Sequence, residues 1–99
     1  MDSDELRRNL TDLERRIEAR SRELAAHGEF DSVHEGYAQG LRQRRAALAQ
    51  KVDAAVRSGD EWKIVGAELE RDFEGIHAEF VQWGEELDAE SMRNRNSAT

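Results

Sequence analysis

Three histidines, a group of arginines and a long run of carboxylates are the residues through which this 99-residue sequence could do chemistry. A metal site would need His27, His34 and His77 to converge. His27 and His34 flank the first expected turn near Asp31 and Glu35. If the third helix runs parallel to the first, His77 falls level with Arg20. The seven residues from Arg20 to the His27 level amount to about 10 Å of helix, too far for one mononuclear centre. No H-x-x-x-H spacing occurs. The expectation is therefore no metal and no cofactor. Cysteine is absent, which removes thiolate ligands, a thiol nucleophile and a disulfide framework.

Arg42, Arg44 and Arg45, with Gln39, Gln43 and Gln50 nearby, could form a strip that binds phosphate. The charge layout favours a different role. Residues 33–58 carry five bases against two acids, whereas residues 60–91 carry eleven acids against two bases. In a hairpin folded near residue 59, Arg42, Arg44 and Arg45 face the stretch holding Glu70, Asp72, Glu74 and Glu79. Intramolecular ion pairs that set helix register are the expected use. The net charge of −7 argues against nucleic-acid or anionic-membrane binding. The acidic helix could instead receive a basic partner. Glu85, Glu86, Asp88 and Glu90 sit at its carboxyl end, where the helix dipole disfavours them. Pairing with Arg93, Arg95 or a partner would relieve them.

The elements that must position these groups follow from periodicity. Leu6, Leu10, Leu13, Ile17, Arg20, Leu24 and His27 recur at alternating steps of four and three, a heptad seam over a helix at about 3–27. Asp2 or Ser3 can cap it, and Gly28 can end it. Ser32-Val33-His34-Glu35 has capping-box spacing and opens a second helix at about 33–57, with a stripe of Val33, Tyr37, Leu41, Leu48, Val52 and Val56. Ser58 or Asp60 can cap a third helix at about 60–91. Its stripe is Trp62, Val65, Leu69, Phe73, Ile76, Phe80, Trp83 and Leu87. Residues 93–99 are polar and are expected to be a disordered tail.

Short links make successive helices antiparallel neighbours, so the expected fold is all-α, an elongated up-down-up three-helix bundle with coiled-coil-like packing, in one domain over 1–92. That architecture resembles spectrin-like three-helix units. It also suits a chain with only 24 apolar side chains larger than alanine. The opening Glu5-Leu6-Arg7-Arg8 is similar to that of helical chorismate mutases, which hold a dicarboxylate between helices with arginines and a lysine. The similarity covers those four residues alone. The family's lysine after the first helix and glutamine late in the last have no equivalents here, so no catalytic residue carries over. Arg20 and Arg44, on the apolar stripes, are expected to specify register.

Gly36, Gly40, Ala47 and Ala54 form a small-residue edge on the second helix. Level pairing sets Gly36 and Gly40 beside Phe80 and Trp83. The expectation is that the missing side chains admit those rings, or that the edge joins a second chain. Function is expected to be that of a non-catalytic interaction or structural module with a protein partner or with itself. The alternative is an acidic protein that sequesters a basic partner. No small-molecule substrate is expected. A start of Met1-Asp2-Ser3-Asp4-Glu5 and the lack of a long apolar run point to the cytoplasm.

Overall fold

The computed structural model describes residues 1–59 and 61–97, with the side chains of Ser91 and 94–97 left aside. Three helices, α1 (Ser3–Ala26), α2 (Ser32–Ser58) and α3 (Trp62–Ser97), pack against one another as an all-α bundle. The bundle measures 59 × 18 × 17 Å. Two chain reversals within five residues each leave α1 and α3 parallel and α2 antiparallel to both.

Local chemistry sets the ends. The Asp2 carboxylate accepts from Glu5 N–H at 2.7 Å, with Asp4 and Glu5 in the first turn, where the dipole favours acids. At the far end Gly28 takes φ +70°. There Gly28 N–H donates to Ala25 and Glu29 N–H donates to Leu24, a Schellman pair that closes α1. Asp31 caps α2, accepting from His34 N–H at 3.0 Å. The expected capping Ser32 instead becomes the first helical residue, because the carboxylate one position earlier already reaches the open N–H. Gly59, at φ +72°, ends α2. Ser58 Oγ donates back to Ala55 C=O, so it serves the end of α2 and not the start of α3. The alternative cap Asp60 lies outside the described residues.

The core is a single seam of Leu6, Leu10, Leu13, Ile17 and Leu24 from α1, Ala38, Leu41, Leu48, Val52 and Ala55 from α2, and Leu69, Phe73, Ile76, Trp83 and Leu87 from α3. Two features differ from the expected pattern. The α2 stripe misplaces its ends, since Val33 and Val56 are 74% and 42% exposed while Ala38 and Ala55 are buried. Successive steps of four rotate about 40° per step off a seam that alternates three and four. The true seam passes from Leu41 through Arg45 to Leu48. The second difference is length, as α3 continues to Ser97. No glycine or proline follows Gly84 to stop it, so residues 93–97 of the expected tail are helical. Residues 98–99 lie outside the described residues. No described helix is long and apolar enough to cross a membrane.

Candidate interaction surface

Ion pairs lace each helix to the next. Arg7 meets Asp53 at 3.0 Å and Arg45 meets Glu14 at 3.5 Å, at the levels expected of an antiparallel α1–α2 hairpin. Arg44 lies against Glu79 of α3. The arginine cluster is therefore divided, with Arg44 serving α3 and Arg45 serving α1. The reason is angular, because adjacent residues on a helix point about 100° apart. Arg45 stands on the apolar seam with a side chain only 15% exposed, and its Nε is buried with no partner.

Two members of the acidic cluster on α3 have partners across the bundle. Asp88 pairs with Arg20 at 3.0 Å, and the same guanidinium donates to Gly84 C=O at 3.2 Å. Glu90 pairs with His34 at 3.2 Å. Sequence reading assigned Asp88 and Glu90 to Arg93, Arg95 or a partner, and missed both cross-bundle contacts. The level relation of the α2–α3 hairpin was the available signal for the second, since it brings His34 within two turns of Glu90. Glu85 and Glu86 are exposed.

The histidines are scattered. His27 ends α1 in solvent, and His77 stacks on Phe73 with ring centroids 5.8 Å apart. His77 shares a cleft with Asn9, Asp12 and Arg16, so it stands below Arg20 and not level with it. Arg20 instead reaches the Gly84–Asp88 turn, which sets α3 about two turns nearer the amino end of α1 than the sequence suggested. Among the described residues no three His, Asp or Glu side chains converge.

The aromatic end of the bundle is built on Trp83, which is 2% exposed. Its indole N–H donates to His34 Nδ1 at 3.3 Å, so the ring proton of His34 sits on Nε2 and is donated to Glu90. Tyr37 and Phe80 flank the indole at 5.7 and 6.4 Å between centroids. Burial, then the Glu79 and Glu86 carboxylates, push the Tyr37 hydroxyl above its ordinary pKa, against the opposing Arg44. Gly36 and Gly40 do not seat these rings. A Cβ at either would meet nothing within 4 Å. The groups that reach Trp83 from α2 are His34 and Tyr37, whose side chains lean inward while the glycines lie on the outer edge.

What the packing leaves open is a groove between α2 and α3. One cavity of about 350 Å³ is lined by Ala47, Leu48, Gly75 and Ile76, and a second of about 460 Å³ by Ala54, Ala55, Val65 and Leu69. Lys51 and Asp72 border both, so the two are continuous. Arg44 and Lys51 rim the α2 side, and Glu68, Arg71 and Asp72 the α3 side. The arrangement offers an apolar floor with charged margins, the form of a helix-docking surface. Compared with family models, with curated proteins and with solved structures, the chain matches none.

Proposed function

We propose that this chain is a non-catalytic helical-bundle module that acts by association, with a protein partner or with itself, in the cytoplasm. The observation that carries the reading is the open α2–α3 groove, where half-buried Val65 and the exposed Ala47, Ala54 and Gly75 lie over a floor of buried Leu48, Leu69 and Ile76 between charged rims. The ionisable groups nearest the core support it. Arg20, His34 and Arg45 are each engaged in contacts between helices, which gives them a register role. Nucleic acid, membrane and small-molecule ligands fall outside the proposal, because an excess of seven negative charges repels polyanions and the groove is a shallow trough.

An acidic receptor for a basic partner has less support. Glu79, Asp88 and Glu90 on α3 already have intramolecular partners. Sedimentation equilibrium at low and high salt separates the two readings. Association through an apolar groove should survive high salt, whereas capture of a basic partner by acids should weaken steeply. A chain that stays monomeric and binds only polycations, with steep salt dependence, would overturn the proposal.

A further inference from the structure

We infer that His34 is a proton-operated latch at the aromatic end of the bundle, holding Trp83 while neutral and turning from it toward Glu90 when charged. Neutral imidazole has one nitrogen that donates and one that accepts, and His34 uses both. Its Nδ1 accepts the Trp83 indole N–H at 3.3 Å, and its Nε2 lies 3.2 Å from Glu90 Oε2. A second proton can enter only at Nδ1. The imidazolium then points an N–H at the indole N–H, and two donors at that separation repel. The first turn of α2, where His34 stands, adds to the repulsion because its open backbone N–H groups carry partial positive charge. Glu90 pulls the ring the other way, since a charged donor binds a carboxylate more strongly than a neutral one.

Burial decides which side gives way. Trp83 is 2% exposed and flanked by Tyr37 and Phe80, so the indole is fixed. The His34 side chain is 15% exposed and that of Glu90 46%, so the ring has a route outward along the contact it keeps. The proton therefore exchanges a contact inside the core for a stronger one at the surface. The indole edge is left open at the amino end of α2, while the Arg44–Glu79 pair, about 15 Å further along the helix, still joins α2 to α3. This device is separate from the groove and acts whatever the module binds.

The surroundings admit a positive ring. From α3 come Glu90 and, one turn earlier, Glu86, which acts on neighbouring Tyr37. From α2 itself come Asp31, which accepts the His34 backbone N–H, and exposed Glu35. The turn after α1 brings Glu29 and the solvent-facing His27, and the nearest α1 base, Arg20, is held by Glu23 and Asp88. Carboxylates predominate on every side. Imidazole is also the side chain whose ordinary change of charge falls between pH 5 and 8.

The test is an NMR titration of the isotope-labelled full chain from about pH 8 to 5, reading the His34 ring and the two indole N–H resonances. The Trp62 indole donates to Met1 C=O, an acceptor that takes up no proton in this range, and so serves as the reference. The Trp83 resonance should move upfield in one step, at the midpoint of the His34 ring, as its hydrogen bond is lost, while that of Trp62 stays in place. His34→Gln supplies an amide that accepts and donates without titrating, and it should hold the Trp83 resonance fixed. Circular dichroism checks that this variant folds, and Glu90→Gln gives a second arm if it does not. With that carboxylate gone, the step should move to lower pH. A Trp83 resonance that stays fixed across the range would overturn the latch, as would a step that persists in His34→Gln or an unmoved midpoint in Glu90→Gln.

Discussion

The indole N–H of Trp83 is a donor deep in the bundle, and His34 Nδ1 is the acceptor that meets it. Substituting His34→Ala would strand that donor in an apolar setting, and a buried group left without its hydrogen bond costs about 1–3 kcal/mol. Urea unfolding followed by circular dichroism should show that loss. An unchanged midpoint would mean that the indole had found another acceptor. Tyr37 supplies an independent reading of the same end of the molecule. It is the single tyrosine, so ultraviolet absorbance during an alkaline titration reports this site alone. Its hydroxyl is held neutral by burial and by Glu79 and Glu86, so ionisation should fall above the ordinary value of about 10. The folded state then keeps a proton that the unfolded chain releases. The stability this gives is complete below the unfolded value and is lost as pH rises through the folded one. Tyr37→Phe should remove that part of the alkaline loss, and a midpoint at or below 10 would contradict the assignment.

At the scale of the helices, two glycines should respond to alanine with opposite signs. Gly40 lies inside α2 with open space where a Cβ would stand, so Gly40→Ala should stabilise the bundle by about 0.8–1 kcal/mol through helix propensity. A Cβ on Gly66 would come within 2.7 Å of Trp62 Nε1, which donates to Met1 C=O at 2.8 Å. Gly66→Ala must displace that ring and should destabilise by about 1–3 kcal/mol, read by thermal unfolding of both variants. Arg45 makes a third case. Replacing it with methionine puts an apolar side chain on the seam and removes a buried, unpartnered Nε, while the half-exposed Glu14 stays solvated. Arg45→Met should therefore leave stability equal or about 1 kcal/mol higher, and a larger loss would show that the ion pair is a net contributor. These sites also mark where the elements could be read from sequence. Asp2 and Gly28 announced the two ends of α1 because capping depends on nearest neighbours. The α2 seam was obscured because two alanines and an arginine occupy positions that the bulkier Val33 and Val56 seemed better fitted to fill. Burial there is decided by angle, and side-chain hydrophobicity follows second.

For the molecule as a whole, the three-helix order and elongated shape were legible because each helix carries its own heptad signal and the links are too short for other topologies. The relative height of α1 and α3 was not. It depends on both turns and on the length of α2, so small offsets accumulate, and Arg20 reaches Gly84 and Asp88 where a lower stretch of α3 had been expected. The groove was legible only as a small-residue edge, because its depth arises from residues on two helices at once. The same locality bears on folding. Most stabilising contacts lie within helices or across short hairpins, a topology associated with folding in microseconds to milliseconds. The chain contains no proline and no cysteine, so neither prolyl isomerisation, at about 10–100 s, nor disulfide exchange can delay it. Stopped-flow refolding followed by tryptophan fluorescence should thus show no unimolecular phase on the scale of seconds. If chains pair through the α2–α3 groove, one slower phase should remain, and its rate should rise with protein concentration. Lowering the protein concentration should suppress that phase and leave the fast one unchanged. A slow phase independent of concentration would instead require a kinetic trap inside the single chain, contrary to the local character of this fold.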